Sequence, residues 1–324
     1  MKNRIAAIDF GTNTARLLIA DRPLEGGFKH ICLEREIVRM GGGFRSGCGL
    51  SSEAVERGMA CLKRFAATIQ SHSVSEIRAV ATSAVRDAEN GVRFREKVFQ
   101  ETGIELTVID GTAEGLLTLK GVLAGLDRKH ENILLFDIGG GSTEYTLAYA
   151  GEARFVSSLP LGVVRLTEGK GSVEAMGIKI RKELSALGNS LRASGCSINS
   201  DTVLIGTAGT ATTLAAISLK MEHYDYRKVN NLVLSREEIQ NILDRLVKLS
   251  PEERLNIPGV EKGREDLIIA GTLLTLATME MFAMNFMKVS DYGLLEGLVV
   301  EESFPVVAPR TAARDKTSLC RCEI

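Results

Sequence analysis

Two aspartates, each closing an apolar strand and opening a glycine turn, set the strongest limit on how this chain can fold. Asp9 ends the run RIAAID, and GTNT and a second apolar run from Arg16 to Ala20 follow it. The same order returns 128 residues later, where ILLFD ends at Asp137 and leads through IGGGSTE into YTLAYA. Strand, glycine turn, strand, repeated at a domain-sized interval, reads as an internal duplication. With 324 residues the chain also exceeds what one hydrophobic core usually fills. The expectation is two related α/β domains facing each other across a cleft, each presenting its glycine turn to the other.

Between the two hairpins the pattern mixes helix and strand. Ser51 and Ser52 cap a helix whose apolar positions Val55, Met59, Leu62, Phe65 and Ile69 recur near every 3.6 residues. EIRAVAT (76–82) and IELTVID (104–110) read as strands, and an amphipathic helix is expected from about Ala113 to Leu123. In the second half Thr202–Ile205 is a strand, and GTAGT leads into a helix through Leu219. Ser235 with Glu238 makes a capping box, and Ser250-Pro251-Glu252-Glu253 opens another helix with proline at its first position. The stretch Leu267–Met287 carries one charge, Glu280, and is long enough to span a bilayer. Its three threonines, Asn285 and the charges just before it favour a buried helix instead, so no membrane span is expected.

Composition removes several functions. Lys plus Arg number 40 against 41 for Asp plus Glu, so no global field exists to hold nucleic acid or an anionic membrane. An anion would have to be held by local geometry. The cysteines are scattered, and only Cys320 and Cys322 sit close, in a tail that reads as loose. No leader is legible at the N-terminus, and the expected location is cytoplasmic.

The two turns supply the local geometry for an anion. In Gly11-Thr12-Asn13-Thr14 a tight turn can aim backbone N–H groups and hydroxyls into one concavity that favours negative charge. It is no Walker A loop, because it lacks GKT or GKS and a strand follows it. In Gly139-Gly140-Gly141-Ser142-Thr143 three successive glycines cost entropy and pack nothing, so close approach of the backbone to a ligand explains them better than an ordinary hairpin. Asp137 and Glu144 bracket that loop, and as oxygen donors they suit Mg²⁺. A third turn, Gly206-Thr207-Ala208-Gly209-Thr210, opens a helix whose amides suit an anion, with a simple strand-to-helix turn equally reasonable.

AAIDFGTNTARLLIA, ATSAVRDAENG, DIGGGSTE and SLPLGVVRLTE together resemble the exopolyphosphatase / guanosine pentaphosphate phosphohydrolase (Ppx/GppA) family over about residues 3 to 300. That resemblance implies two ribonuclease-H-like domains of the actin, heat-shock ATPase and sugar-kinase superfamily. They are expected at 1–124 and 125–289, with a helix at about 290–304 returning to the first and 305–324 as a loose tail. Longer relatives continue into a helical region with an HD-like part, so a short, two-domain member is implied.

The resemblance also assigns roles. Glu114 matches the family's glutamate that acts on the attacking water, and Ala113 replaces a second glutamate beside it. Arg86 matches a phosphate-contacting arginine, with Thr82 and Ser83 as further donors, and Asp9 joins Asp137 and Glu144 as a metal candidate. Arg264 and Asp266 match an Arg-x-Asp element and are expected to pair within the second domain. Leu295 stands where the family usually has arginine before Glu296-Gly297. The implied activity is Mg²⁺-dependent release of orthophosphate from inorganic polyphosphate. The implied alternatives are hydrolysis of guanosine pentaphosphate, or binding of either compound without turnover. A homodimer is admissible.

Overall fold

The computed structural model describes residues 3–22, 27–42 and 49–304. Cys48, Cys320, Cys322 and the tail expected at 305–324 lie outside the described residues. The chain opens with three strands, β1 (Asn3–Phe10), β2 (Thr14–Arg22) and β3 (Lys29–Ile37), then helix α1 (Ser52–Ser71). Strand β4 (Glu76–Ala81) follows, with the short helix α2 (Ser83–Arg86), α3 (Gly91–Thr102), the brief β5 (Leu106–Val108) and α4 (Gly111–Gly125). The pattern restarts with β6 (Asn132–Ile138), β7 (Thr143–Tyr149), β8 (Glu152–Leu159), α5 (Val163–Lys170) and α6 (Val173–Ala193). It proceeds through β9 (Val203–Thr207), α7 (Ala208–Ser218), α8 (Tyr226–Val229), β10 (Val233–Ser235), α9 (Arg236–Leu246) and α10 (Pro251–Arg254). Helix α11 (Ile268–Met281), β11 (Phe286–Val289) and α12 (Leu294–Val300) complete it.

Two mixed sheets result, with one topology. The first has the order β3-β2-β1-β4-β5 and the second β8-β7-β6-β9-β11-β10. In each, the first three strands form an antiparallel meander, and the next two lie parallel to the central strand. The second sheet adds antiparallel β10 at its edge. The duplication legible in the two aspartates is thus a duplication of whole α/β units in an actin-like, ribonuclease-H-like arrangement. In open α/β sheets ligands bind beyond the carboxyl ends of parallel strands. Those ends are Phe10, Ala81, Ile138 and Thr207, and the loops that follow them meet in one place.

The elements form for local reasons. Ser51 caps α1 by accepting from Ala54 N at 3.2 Å, and Met59, Leu62, Phe65 and Ile69 bury its inner face. Both capping boxes are present, at Ser235/Glu238 and Ser250/Glu253, although α10 runs for only four residues. Three expectations need correction. The strand expected over 104–110 is regular only at Leu106–Val108, while Ile104 and Ile109 are buried on either side of it. Helix α4 is not amphipathic: Glu114, Leu117, Thr118, Leu119 and Val122 are all buried, because it is enclosed by α12 on one side and β7 and β8 on another. Finally, the helix expected over 267–287 stops at Met281. Ala283 turns with φ 52°, and Phe286–Val289 is drawn into the sheet between β9 and β10. The hydroxyls of Thr272, Thr275 and Thr278 donate to the carbonyls four residues earlier, which is how this apolar helix tolerates them. No helix among the described residues is long and apolar enough to cross a membrane.

Two crossings join the units. Helix α4 leads out of the first and α12 returns to pack on β1 and β2. They touch backbone to backbone: a Cβ on Gly121 would lie 1.8 Å from Gly293 O, and one on Gly297 would lie 1.9 Å from Leu117 O.

Candidate active site

The glycine turns close in the same way. Gly11 N donates to Thr14 O and Gly139 N to Ser142 O, both at 3.0 Å. The carbonyls of Thr12 and Asn13 accept from the amides of residues 38, 39 and 41, and those of Gly139 and Gly140 from Val163 and Val164 at the start of α5. The oxygens that would repel an anion are therefore committed elsewhere. The three glycines at 139–141 have another use than the one expected. None adopts a left-handed φ, and a Cβ on Gly140 would lie 2.9 Å from Thr12 Cβ. One on Gly141 would lie 2.4 Å from Ser83 Oγ, and Gly140 O leaves no room for a Cβ on Gly162. These glycines let the two turns press against each other.

Between the turns lies a cavity of about 120 Å³. Of the residues singled out in the sequence it is lined by Asp9, Gly11, Thr12, Asn13, Thr14, Thr82, Ser83, Glu114, Asp137, Gly139, Gly140 and Ser142, and by Ala208, Gly209 and Thr210 of the third turn with Arg264. Four of the others stand back from it. Gly141 serves the packing just described. Thr143 is fully buried and its hydroxyl donates to Leu161 O, so it is no phosphate donor. Glu144 sits behind the loop, where its Oε1 accepts from Ser158 Oγ at 2.7 Å. Arg86 lies behind Glu114, its Nη1 3.8 Å from Glu114 Oε2 and 3.2 Å from Ile109 O.

Glu114 is the clearest chemical feature. At the first turn of a helix an exposed glutamate would need no explanation, but this one is 7% exposed. Its Oε2 has no hydrogen-bond partner among the described residues. Burial above all, then the neighbouring Glu144, Asp137 and Asp9, raise its pKa well above the usual carboxylate value against the pull of Arg86. Burial likewise lifts Asp137 to about 6, with Arg16 opposing and Asp9 adding to it, and Glu144 to about 7, with Asp137 adding to it. The site therefore holds more buried carboxylate than buried cation.

Sequence reasoning missed Arg16 and undervalued Arg264. Arg16 reaches from β2 to Asp9 Oδ2 at 2.9 Å, and its neighbours Asp9, Glu296 and Asp137 keep it charged despite burial. A charged residue inside the buried run TARLLIA was the available signal. Arg264 pairs within the second unit as expected, with Glu261 at 3.2 Å, but it also lines the cavity and donates to Thr213 Oγ1 at 3.3 Å. Its guanidinium covers Gly209, where a Cβ would lie 1.8 Å from Nη1, so the third glycine turn seats an arginine. Asp266 pairs across the cleft, with Arg39 at 3.1 Å.

The donor set suits a hard cation. Among the described residues no three His, Cys, Asp or Glu side chains converge as a ready-made cage, so Asp9, Asp137 and Glu144 do not form one. Mg²⁺ needs none: it commonly takes one or two carboxylates together with water and phosphate oxygens. Asp9 and Asp137 line the cavity, and surplus buried negative charge beside turns shaped for an anion is what such a cation would balance.

A sequence model described as the Ppx/GppA phosphatase family matches residues 19–303. The bifunctional 3-dehydroquinate synthase/phosphatase of Fusobacterium nucleatum is 36% identical over 314 residues, covering 91% of this chain and 46% of that protein. The chain thus spans about half the length of that relative. Exopolyphosphatase 2 of Mycobacterium tuberculosis is 30% identical over 316 residues, covering 92% of this chain and 98% of that one. Among solved structures, the Aquifex aeolicus member of the Ppx/GppA family superposes with a TM-score of 0.77 at 32% identity, covering 93% of this chain and 97% of that one. An exopolyphosphatase from Cytophaga hutchinsonii gives 0.82 at 29% identity, covering 91% and 96%.

Proposed function

The chain belongs to the Ppx/GppA phosphatase family, and from that premise we propose that it is an Mg²⁺-dependent exopolyphosphatase. The observation that carries this reading is Glu114 Oε2, buried without a hydrogen-bond partner among the described residues and placed at a cavity floored by two anion-shaped turns. At about 120 Å³ the cavity is far smaller than the roughly 300–1,000 Å³ that enclose drug-sized ligands. It suits the end of a phosphate chain, with the rest of the chain leaving through the cleft.

In the proposed reaction Thr12, Asn13, Gly140 and Ser142 hold the oxygens of the terminal phosphoryl group. Glu114 orients a water molecule and takes its proton as the water oxygen attacks phosphorus. The bond from that phosphorus to the bridging oxygen breaks, giving orthophosphate and a chain one unit shorter. A carboxylate of raised pKa is suited to this, since it holds the proton more readily than an exposed glutamate would. Arg86 offsets charge that develops near Glu114, and Arg16 fixes Asp9. Asp9 and Asp137 would hold Mg²⁺, with Glu144 behind them. When bound, Mg²⁺ supplies positive charge to the phosphate oxygens and orients them.

The test is product analysis with long-chain polyphosphate and Mg²⁺. Orthophosphate as the only early product, lost on chelation of the metal, is expected. Early oligophosphates would mean internal cleavage and contradict the reading. Release from guanosine pentaphosphate alone would move the assignment to the nucleotide, and tight binding of polyphosphate without release would make the protein a sensor.

A further inference from the structure

A run of polar contacts links the second glycine turn to Glu114 without entering the cavity. It starts at Arg165 on α5, which is absent from the cavity lining. Arg165 Nε donates to Gly141 O at 3.0 Å, and its Nη2 reaches across the cleft to Asp87 Oδ2 at 3.3 Å. The other oxygen of Asp87 accepts from Arg86 Nε at 3.2 Å, and Arg86 Nη1 faces Glu114 Oε2. The contacts therefore run Gly141, Arg165, Asp87, Arg86, Glu114, from the second unit to the first.

We infer that Arg165 is a positioning residue for the hydrolysis proposed above, on which this inference rests: by occupying one oxygen of Asp87 it keeps Arg86 turned toward Glu114. The physical reason is competition. Two carboxylates, Asp87 and Glu114, stand within reach of one guanidinium. With both oxygens free, Asp87 takes Arg86 in a two-pronged pair, the favoured geometry for arginine and carboxylate. That pair draws the guanidinium off Glu114. Arg165 prevents it only while the two units are apposed, so the contact makes the catalytic pair depend on the position of the Gly141 turn. Lysine cannot replace it fully, because a single ammonium cannot bridge Gly141 O and Asp87 with the geometry of a guanidinium fork. Arg165 and Asp87 have side chains 40% and 36% exposed, so replacing them leaves the core intact.

The experiment combines kinetics with a signal from Arg86 itself. Arg165→Ala is expected to lower kcat for phosphate release roughly ten- to hundredfold with KM changed by less than about threefold, since misplacing a reacting group costs rate more than binding. Arg165→Lys should recover part of the loss. The double variant Arg165→Ala/Asp87→Asn should be no slower than the slower single variant, as expected for residues acting through one contact. In the absence of substrate, the Nε–Hε resonance of Arg86 should shift in Arg165→Ala. An unmoved resonance, losses that multiply, or a loss confined to KM would overturn the inference. A wild-type chain that releases phosphate from no substrate would sink the proposed function, and the Arg86 resonance would then decide the Arg165 contact by itself.

Discussion

At the scale of single residues, the site is defined by acids held where water cannot stabilise their charge. Glu296 shows this away from the cavity. It is 3% exposed at the start of α12, accepts from Gly293 N at 2.8 Å, and is pushed up to about 7 chiefly by burial, with Arg16 pulling the other way. An unfolded glutamate titrates near 4.3. Between those values the folded chain keeps a proton that the unfolded chain releases, so this stability is complete below about pH 4.3 and is lost as pH rises through about 7. Asp137 and Glu144 act in the same direction. Glu296→Gln keeps an acceptor for Gly293 N and removes the titration. We expect it to flatten the fall in unfolding free energy between pH 5 and 7.5, and to raise stability at pH 8 by on the order of 2–3 kcal/mol. Denaturant melts across that range check it, and an unchanged slope would refute the buried charge. Arg16 was missed although its signal was there, since a charge in a strand as apolar as β2 needs a partner, here Asp9.

At the scale of elements, α4 and α12 decide where Glu114 stands. They meet through Gly121, Gly293 and Gly297, and a Cβ on Gly121 or Gly297 would strike the other helix's backbone. Gly121→Ala should therefore cost about 2–3 kcal/mol through overpacking and also lower kcat, because α4 carries Glu114 in its first turn. A variant as stable and as active as the wild type would show that the helices can part freely. The elements also mark how far sequence reaches. Strands before each aspartate and both capping boxes follow from local pattern, and they stand as expected. Helix α4 misled because its exposed stripe, Thr112, Leu116, Lys120 and Ala124, is narrow and half apolar, which leaves little of the polar face a periodicity argument needs. The end of α11 misled because strand pairing with β9 and β10 overrides an apolar stretch that reads as helix. The use of Gly141 for packing against Ser83, and of Gly209 for seating Arg264, depends on contacts between distant segments, which no local pattern encodes.

At the scale of the whole molecule, duplication brings two turns together and leaves a cleft whose rims are held by charge. Arg165–Asp87 spans one contact, and Arg35–Glu261 and Arg39–Asp266 span others. Each pair is partly exposed, so each contributes no more than about 1 kcal/mol. The two units, their order and the two facing turns were readable from the repeated aspartates, whereas Thr82, Ser83 and Glu114 came only with the family resemblance. The residues that cross the cleft were not, because pairing between units leaves no mark in sequence spacing. The central claim is that Glu114 prepares water for attack on a terminal phosphoryl group held between the turns. Its most direct test is Glu114→Gln, which keeps the shape of the side chain and removes the base. We would measure kcat for orthophosphate release from long-chain polyphosphate beside polyphosphate affinity. Loss of a general base predicts kcat lower by about a hundredfold or more with affinity within about threefold of wild type. A kcat within about tenfold of wild type would contradict the account.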